Sequence, residues 1–257
     1  MIDSRAVVDP DARIGEGVSI GPFSVIGSGV EIGDNTWIAS HVVIKGPTKI
    51  GSDNRIFQFS SIGEDPQDKK YQQDKESFLE IGNRNVIREY CSINRGTQLG
   101  GGRTVIGDDN WIMAYVHVAH DCLIGNNVVF ANNSTLAGHV SIDDYAILGG
   151  FTGVHQFCHV GSYSFSAISS VIVKDVPPYL MVSGNTAKPY GLNKEGLKRH
   201  GFSSELINQL QKAYKILYRE GHTLKVAIKE LKKLKSGSEE IENFISFIEK
   251  SERGIVR

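Results

Sequence analysis

The sequence predicts a long parallel β-helix followed by a small α-helical domain, and two observations carry that prediction. Aliphatic residues recur every six positions, starting with an unbroken series of isoleucines from Ile14 to Ile62. Near residue 188 this period gives way to helical spacing. We therefore expect a β-helix over residues 1–187 and a helical domain over residues 188–257.

A period of six matches neither an α-helix, at about 3.6 residues per turn, nor a single strand, at about 2. It predicts a coil with three flat faces, one hexad per face, in which one aliphatic side chain per hexad points inward. Successive coils then stack about 4.8 Å apart as hydrogen-bonded parallel strands. Gly, Asn and Asp residues near the corners supply the tight or left-handed backbone conformations.

Two insertions interrupt the period, at residues 64–80 and 97–104. The aliphatic series resumes after each of them, and its longest later run extends from Ile106 to Val160. Ser166 breaks that run and Ile172 closes it. Inserted loops leave the core of a solenoid undisturbed and can carry function.

The ladder is expected to end at Pro177 and Pro178, because proline cannot donate a strand hydrogen bond. Three helices are predicted beyond it from capping residues and apolar spacing. The first begins after Ser203, the second extends from Thr223 to Lys235, and the third begins at Ser238.

Composition limits the classes of function. Lys and Arg total 28 against 29 Asp and Glu, which gives no reason to expect a nucleic-acid or membrane-surface protein. Cys91, Cys122 and Cys158 form no CxxC pair and predict reduced thiols. Neither a secretory signal nor an apolar run of the roughly 20 residues needed for a membrane helix is evident, so a cytoplasmic protein is expected. No cofactor is expected.

Histidines supply the strongest indication of chemistry. His117 and His120 flank an inward position and should lie at the surface. His139 and His155 follow His120 by 19 and 35 residues, close to one and two coils of 18. The three are therefore expected to stack near one edge on successive levels, which predicts a functional site.

Residues beside these histidines suit acyl transfer. Asp121 adjoins His120, and a carboxylate there can fix the imidazole tautomer and raise its basicity. Gly138 and Gln156 fall on the same edge. The backbone N–H of Gly138 could polarise a carbonyl group. The alternative is a zinc site of three imidazoles at a subunit interface, as in β-helical carbonic anhydrases. The helical C-terminus and the two insertions favour a larger substrate, and no metal is expected.

Several segments together resemble the UDP-N-acetylglucosamine O-acyltransferases of lipid A synthesis, a hexapeptide-repeat family whose β-helix is left-handed. The resemblance covers nearly the whole chain. Its most specific segments are His117-Val-Ala-His-Asp-Cys122, Leu136-Ala-Gly-His139, Val154-His-Gln-Phe157, Asp175-Val-Pro-Pro-Tyr179 and Gly196-Leu-Lys-Arg199.

The resemblance implies a homotrimer with active sites in the clefts between neighbouring subunits. It implies that His120 is the general base, that Asp121 orients it and that Gly138 belongs to the oxyanion site. The donor would be a 3-hydroxyacyl chain on acyl carrier protein, an acidic partner, and the acceptor a UDP-linked amino sugar. Residues implied to bind these substrates are Asp68, Lys70, His117, His139, His155, Gln156, Asn193, Glu195 and Arg199.

Four positions qualify the resemblance. Asn94, Thr186 and His200 differ from residues common in the family, which weakens the transfer of individual nucleotide contacts. Ile168 falls where small residues admit longer acyl chains. By residue count its height above His120 is slightly less than three coils, about 13 Å at the strand spacing. A β-branched side chain there predicts an acyl chain shorter than fourteen carbons, unless Ile168 is ordinary core filling.

Two other functions remain open from the sequence. One is the N-acyltransferase of the same pathway, which usually carries an extra domain before the repeat, whereas here the repeat begins almost at Met1. The other is a non-catalytic solenoid that only binds partners. The acceptor is equally open between UDP-N-acetylglucosamine and its 3-amino analogue.

Overall fold

The computed structural model describes residues 1–71, 77–234 and 238–257. Part of the first insertion, residues 72–76, and Lys235, the predicted end of the second helix, lie outside the described residues. The chain passes in turn through three sheets and returns to each sheet one coil later. Neighbouring strands are parallel, except for the last strand of the third sheet, which is antiparallel to its neighbour. The predicted hexapeptide-repeat β-helix is confirmed.

The three sheets are named here by the order in which the chain enters them. Within the described residues the first face has nine strands: Val7–Val8, Val25–Ile26, Val43–Ile44, Ser61–Glu64, Ser92–Asn94, His117–Val118, Thr135–Leu136, Gly153–Val154 and Val171–Ile172. The second face, over the same ranges, has eight: Arg13–Ile14, Val30–Ile32, Thr48–Ile50, Phe78–Ile81, Arg103–Ile106, Leu123–Ile124, Ser141–Ile142 and His159–Val160. The third, counted likewise, has ten: Ser19–Ile20, Trp37–Ile38, Arg55–Ile56, Val86–Ile87, Trp111–Ile112, Val129–Phe130, Ile147–Leu148, Phe165–Ser166, Leu180–Ser183 and Lys188–Leu192.

Most strands contain two residues, of which the second points inward. The predicted aliphatic positions are buried from Ile20 to Ile172 and form one continuous core. Ser166, where the aliphatic series breaks, is also buried, and its hydroxyl lies 2.9 Å from Thr152 Oγ1. The polar residue is tolerated there because its hydrogen-bonding group has a partner.

Corners between faces use left-handed backbone. Within the described ranges, nineteen non-glycine residues have φ between +55° and +69°. Asp121 and His139 are two of them, at +59° and +61°. None of the nineteen is β-branched, as expected where a branched Cβ would clash with the backbone.

Substitution of Phe130 tests how much the packed core contributes to stability. It is fully buried in the middle of the stack. Replacing it by alanine is expected to lower the free energy of unfolding by about 3–5 kcal/mol, through lost burial and a cavity. Denaturant titration measures this, with Leu123→Ala, at an exposed position on the second face, as the control. Equal costs in the two variants would contradict the inward assignment of Phe130.

The prediction that the ladder ends at Pro177 and Pro178 is wrong, because Leu180–Ser183 pairs parallel with Phe165–Ser166 beyond both prolines. One more strand then precedes the helices. Lys188–Leu192 pairs antiparallel with Leu180–Ser183, so the predicted boundary at residue 188 falls at the first residue of a strand. Ser203, Thr223 and Ser238 cap helices as predicted, accepting hydrogen bonds from the backbone three residues on. The described α-helices are Lys194–Arg199, Ser204–Tyr218, Leu224–Leu231 and Glu239–Lys250. The second predicted helix therefore ends at Leu231, before the predicted Lys235.

Asp175 joins the β-helix to the C-terminal segment. Its carboxylate accepts hydrogen bonds from the His159 N–H at 2.8 Å and the Ser251 hydroxyl at 2.5 Å. Its carbonyl accepts from the Val256 N–H at 2.9 Å. Among the described helices, none has the length and apolarity needed to cross a bilayer.

Candidate active site

The centre of the site is a histidine–aspartate pair at the corner between the first and second faces. His120 Nδ1 lies 2.8 Å from Asp121 Oδ2. The Asp121 side chain is completely buried, whereas the His120 side chain is 16% exposed. Because a carboxylate accepts the Nδ1 proton, the other ring nitrogen, Nε2, is left as the basic atom.

Asp121 is held in its charged form. Burial would raise the pKa of its carboxyl group, but hydrogen bonds from His120 and Thr97 outweigh burial and keep the pKa below its ordinary value. Asp121 Oδ1 accepts from the Thr97 N–H at 2.8 Å and Oδ2 from the Thr97 hydroxyl at 2.6 Å. The Asp121 N–H donates to Thr104 Oγ1 at 2.8 Å.

Gly138 and His139 lie one coil above this pair. The ring centroids of His139 and His120 are 5.1 Å apart in an edge-to-face arrangement, and His139 Nε2 lies 3.7 Å from Asp121 Oδ2. A Cβ atom on Gly138 would lie 2.5 Å from His120 Cε1 and 2.7 Å from Nε2. Only glycine therefore leaves room for the His120 ring in this position.

The two neighbouring histidines favour the neutral form. Burial lowers the pKa of His117, and its Nδ1 lies 2.7 Å from the Ser92 hydroxyl. Burial also lowers the pKa of His139, despite the attraction of Asp121. At neutral pH both side chains can therefore donate or accept hydrogen bonds without carrying charge.

A cleft of about 830 Å³ opens over the pair. The first insertion contributes Asp68 and Lys70 to its lining, and Gln156 and Phe157 lie two coils above His120 and Asp121. The structure thus brings together predicted residues from four separate stretches of sequence. The described lining residues are Gln67, Asp68, Lys70, Thr97, Gly100, Ala119, His120, His139, Gln156 and Phe157.

His155 departs from the predicted column of three histidines. The residue stacked on His139 is Phe157, with ring centroids 4.5 Å apart. His155 is exposed and lies 3.3 Å from an Arg253 guanidinium nitrogen through Nδ1. The reason is register: a spacing of 35 residues is one short of two coils, which moves His155 one position along the corner.

Asn193, Glu195 and Arg199 lie outside this cleft within one chain. Asn193 caps the helix Lys194–Arg199, and its amide donates to the Tyr163 carbonyl at 2.9 Å. Glu195 is exposed and pairs with Lys198 at 3.0 Å. His200, at the end of this helix, packs edge-on against Tyr145 and Tyr163.

Ile168 lies at a different corner from His120. It is 70% exposed, so it is not core filling. Its corner joins the third and first faces, whereas His120 lies between the first and second. The spacing of 48 residues is not a whole number of coils, so the estimate of about 13 Å describes height along the axis and not a position above His120.

Sequence reasoning missed the residues that hold Asp121. Thr97, Gly100 and Thr104 belong to the second insertion, which was recognised as an interruption without a role for its members. The available signal was position, because the insertion lies one coil before the His120 corner in the chain. Its contacts do not follow the spacing of 18 residues.

His120, Asp121 and His139 are also the described residues best placed to hold a metal ion, with ligand atoms within 4.8 Å of one another. The Asp121 oxygens and His120 Nδ1 already hydrogen-bond to each other and to Thr97. A metal ion bound by the Asp121 carboxylate or by His120 Nδ1 would disrupt those hydrogen bonds. The arrangement therefore fits proton transfer better than metal binding.

Comparison with known proteins identifies the family. Residues 175–256 match the profile of a domain described as "Udp N-acetylglucosamine O-acyltransferase; Domain 2", and residues 103–138 match a bacterial transferase hexapeptide profile. The acyl-[acyl-carrier-protein]–UDP-N-acetylglucosamine O-acyltransferase of Thiobacillus denitrificans is 58% identical, over 100% of this chain and 99% of its own length. The chain belongs to the UDP-N-acetylglucosamine O-acyltransferase family. It is an acyltransferase.

Solved structures from this family agree with the fold. The UDP-N-acetylglucosamine acyltransferase of Francisella novicida superposes with a TM-score of 0.98 at 47% identity, covering 100% of this chain and 94% of that one. The Acinetobacter baumannii family member gives a TM-score of 0.97 at 48% identity, covering 100% and 99%. Family membership also accounts for the helical segment after the repeat, since the family profile matches that part of the chain.

Proposed function

We propose that this protein transfers a 3-hydroxyacyl chain from acyl carrier protein to the 3-hydroxyl of UDP-N-acetylglucosamine, the first step of lipid A synthesis. The observation that carries the proposal is the His120–Asp121 pair beside an open cleft. His120 Nδ1 is committed to Asp121, and Nε2 finds no partner among the described residues. Family relatives are named as acyl-[acyl-carrier-protein]–UDP-N-acetylglucosamine O-acyltransferases, which supports the donor and acceptor classes.

In the proposed reaction, His120 Nε2 removes the proton of the sugar 3-hydroxyl as its oxygen attacks the thioester carbonyl carbon. The Gly138 N–H, which has no acceptor within the described residues, donates to the oxyanion that forms. Collapse of the tetrahedral intermediate breaks the C–S bond, and His120 returns the proton to the thiolate. The products are the sugar ester and the carrier-protein thiol.

The remaining predicted residues would bind the substrates. Asp68 and Lys70 line the cleft together with His120, His139 and Gln156. Asn193, Glu195 and Arg199 lie outside it, so we assign them to the cleft of a neighbouring subunit in a homotrimer. Basic side chains of the helical region would dock the acidic carrier protein: Lys194, Lys198, Arg199, Lys212, Lys215 and Arg219.

We further propose that Ile168 limits the acyl chain to fewer than fourteen carbons. The side chain is exposed at the corner joining the third and first faces. In a homotrimer this corner of one subunit would approach the His120 corner of the next. A β-branched side chain there would close the end of the acyl channel.

Ile168→Gly is expected to shift the preferred donor to a longer chain. Competition among 3-hydroxyacyl carrier proteins of graded length, read by mass spectrometry, measures the preference. Removing about three to four methylene-sized groups of bulk should raise use of the fourteen-carbon donor at least tenfold. Val7→Gly, at another exposed aliphatic position, should leave the preference unchanged. Predominant use of the fourteen-carbon donor by the unaltered protein would refute the limit.

The function itself is tested by mass spectrometry of the product formed from UDP-N-acetylglucosamine and those donors. One mono-acylated product, formed equally in the presence of a chelator, is the expected result. A product obtained only with the 3-amino sugar would replace the ester by an amide. No product with either acceptor would refute the proposed reaction.

A further inference from the structure

We propose that residues 97–102, called here the cover segment, position the catalytic pair: Thr97 aims the Asp121 carboxylate and Gly100 seals it from water. The inference deepens the proposed function and rests on the roles given there to His120 and Asp121. Thr97 and Gly100 act through Asp121 and are positioning residues.

Thr97 fixes both oxygens of one carboxylate. Its N–H binds Asp121 Oδ1 at 2.8 Å, and its hydroxyl binds Oδ2 at 2.6 Å. Oδ2 is also the oxygen that accepts the hydrogen bond from His120 Nδ1. A carboxylate held at both oxygens cannot rotate, so Oδ2 stays directed at the imidazole.

Gly100 allows the segment to lie directly on the pair. A Cβ atom at this position would overlap Asp121 Oδ2 and His139 Cε1. This close approach of backbone contributes to the complete burial of the Asp121 side chain. Exclusion of water strengthens the interaction of the carboxylate with His120, because the local dielectric constant falls.

The cover segment is itself fixed to the β-helix. The Gly102 N–H donates to the Thr97 carbonyl at 2.8 Å, which closes the segment on itself. Phe78, in a second-face strand, donates its N–H to the Gly102 carbonyl at 2.8 Å and accepts from the Gly96 N–H at 3.1 Å. Anchored at both ends, the segment can impose an orientation on Asp121.

Several titratable or charged groups near Asp121 can affect the pH dependence of activity. His120 and His139 face the carboxylate directly, and His117 lies next to His120. Asp68 and Lys70 line the same cleft, and Asp68 lies near enough to His139 to act on its pKa. Thr97 carries no charge, so replacing it changes the hydrogen bonding of Asp121 without changing this set.

Thr97→Val is the discriminating variant, because it keeps shape and the backbone hydrogen bond but removes the hydroxyl. Without that donor, Oδ2 carries more negative charge toward His120 and stabilises the protonated ring. In the pH profile of kcat/KM, the midpoint of the acid limb should then shift to higher pH by about 0.5–1 unit. We expect kcat to be about tenfold lower and KM to stay within twofold. Thr97→Ser restores the hydroxyl and should return the limb to its original position.

Gly100→Ala tests the seal. The added methyl group must displace the segment or the pair, and we expect kcat to fall about a hundredfold. Gly191→Ala is the matched control, because a Cβ atom there meets nothing within 4 Å and the backbone needs no left-handed conformation. That variant should retain the original kcat.

A titration of the His120 ring by NMR, without substrate, separates this inference from the proposed function. An upward shift of the ring's titration midpoint in Thr97→Val, absent in Thr97→Ser, supports positioning whether or not the chain transfers acyl groups to this sugar. An unchanged midpoint and acid limb, with only the melting temperature lowered, would overturn the inference. Absence of turnover in the unaltered protein would count against the proposed function alone.

Discussion

Replacing His120 by alanine is expected to lower kcat by about three orders of magnitude while leaving the fold intact. The side chain supplies the only atom of the pair that can take a proton from the substrate, and general-base catalysis contributes about 10²–10⁴ in rate. The 16% exposed ring projects into the cleft and is not part of the core, so its loss should change the melting temperature little. Steady-state kinetics and circular dichroism measure the two effects.

The matched control is His222→Ala, a histidine paired with Glu220 in the helical region. It should retain full activity. The unaltered protein should lose kcat/KM at acid pH, because a protonated imidazole cannot accept a proton, and the residual rate of His120→Ala should lack that limb. An activity loss of less than tenfold in His120→Ala would contradict its role as the base.

Asp121→Asn is expected to reduce kcat by about two to four orders of magnitude through a change of tautomer. The Thr97 N–H binds Oδ1 and will select the amide oxygen there, which turns the amide NH₂ toward His120 Nδ1. An NH₂ group facing Nδ1 forces the ring proton onto Nε2. The ring then presents a donor where the reaction needs a base.

A second histidine–aspartate pair in the chain provides the control for this substitution. Asp143 Oδ1 lies 2.7 Å from His159 Nε2 on the second face, away from the His120 cleft, with both side chains more than a third exposed. Asp143→Asn should leave kcat within twofold. Comparable losses from the two asparagine variants would show that the Asp121 effect is not specific to the catalytic tautomer.

Features that follow the hexapeptide period were predictable from the sequence. Burial of one aliphatic residue per hexad dictates the coil, and the coil dictates that His120, Gly138 and Gln156 share one column. Helix caps were equally predictable, because Ser203 and Thr223 satisfy backbone donors of their own helices. These are local rules that repeat or act over three residues.

Features that depend on departures from the period were not predictable. The cover segment reaches Asp121 from within an insertion, where counting in units of 18 gives no position. The same counting placed His155 and Ile168 by height alone and missed their displacement around the coil. The short helix Lys194–Arg199 was missed because its cap, Asn193, serves two partners and its apolar content is a single buried leucine.

The left-handed corners bear on how such a protein acquires new chemistry. Asp121 and His139 occupy two of the nineteen described non-glycine positions with this backbone, and the others carry aromatic rings, amides, acids, an arginine, a histidine and a serine. The conformational cost of each position is met by the coil whatever side chain it displays, provided that side chain is not β-branched. Side chains at one corner can therefore be exchanged without a change in the coil, although the cover segment that holds Asp121 is an additional insertion. In this fold, the residues that determine the coil and the residues that determine activity are largely different.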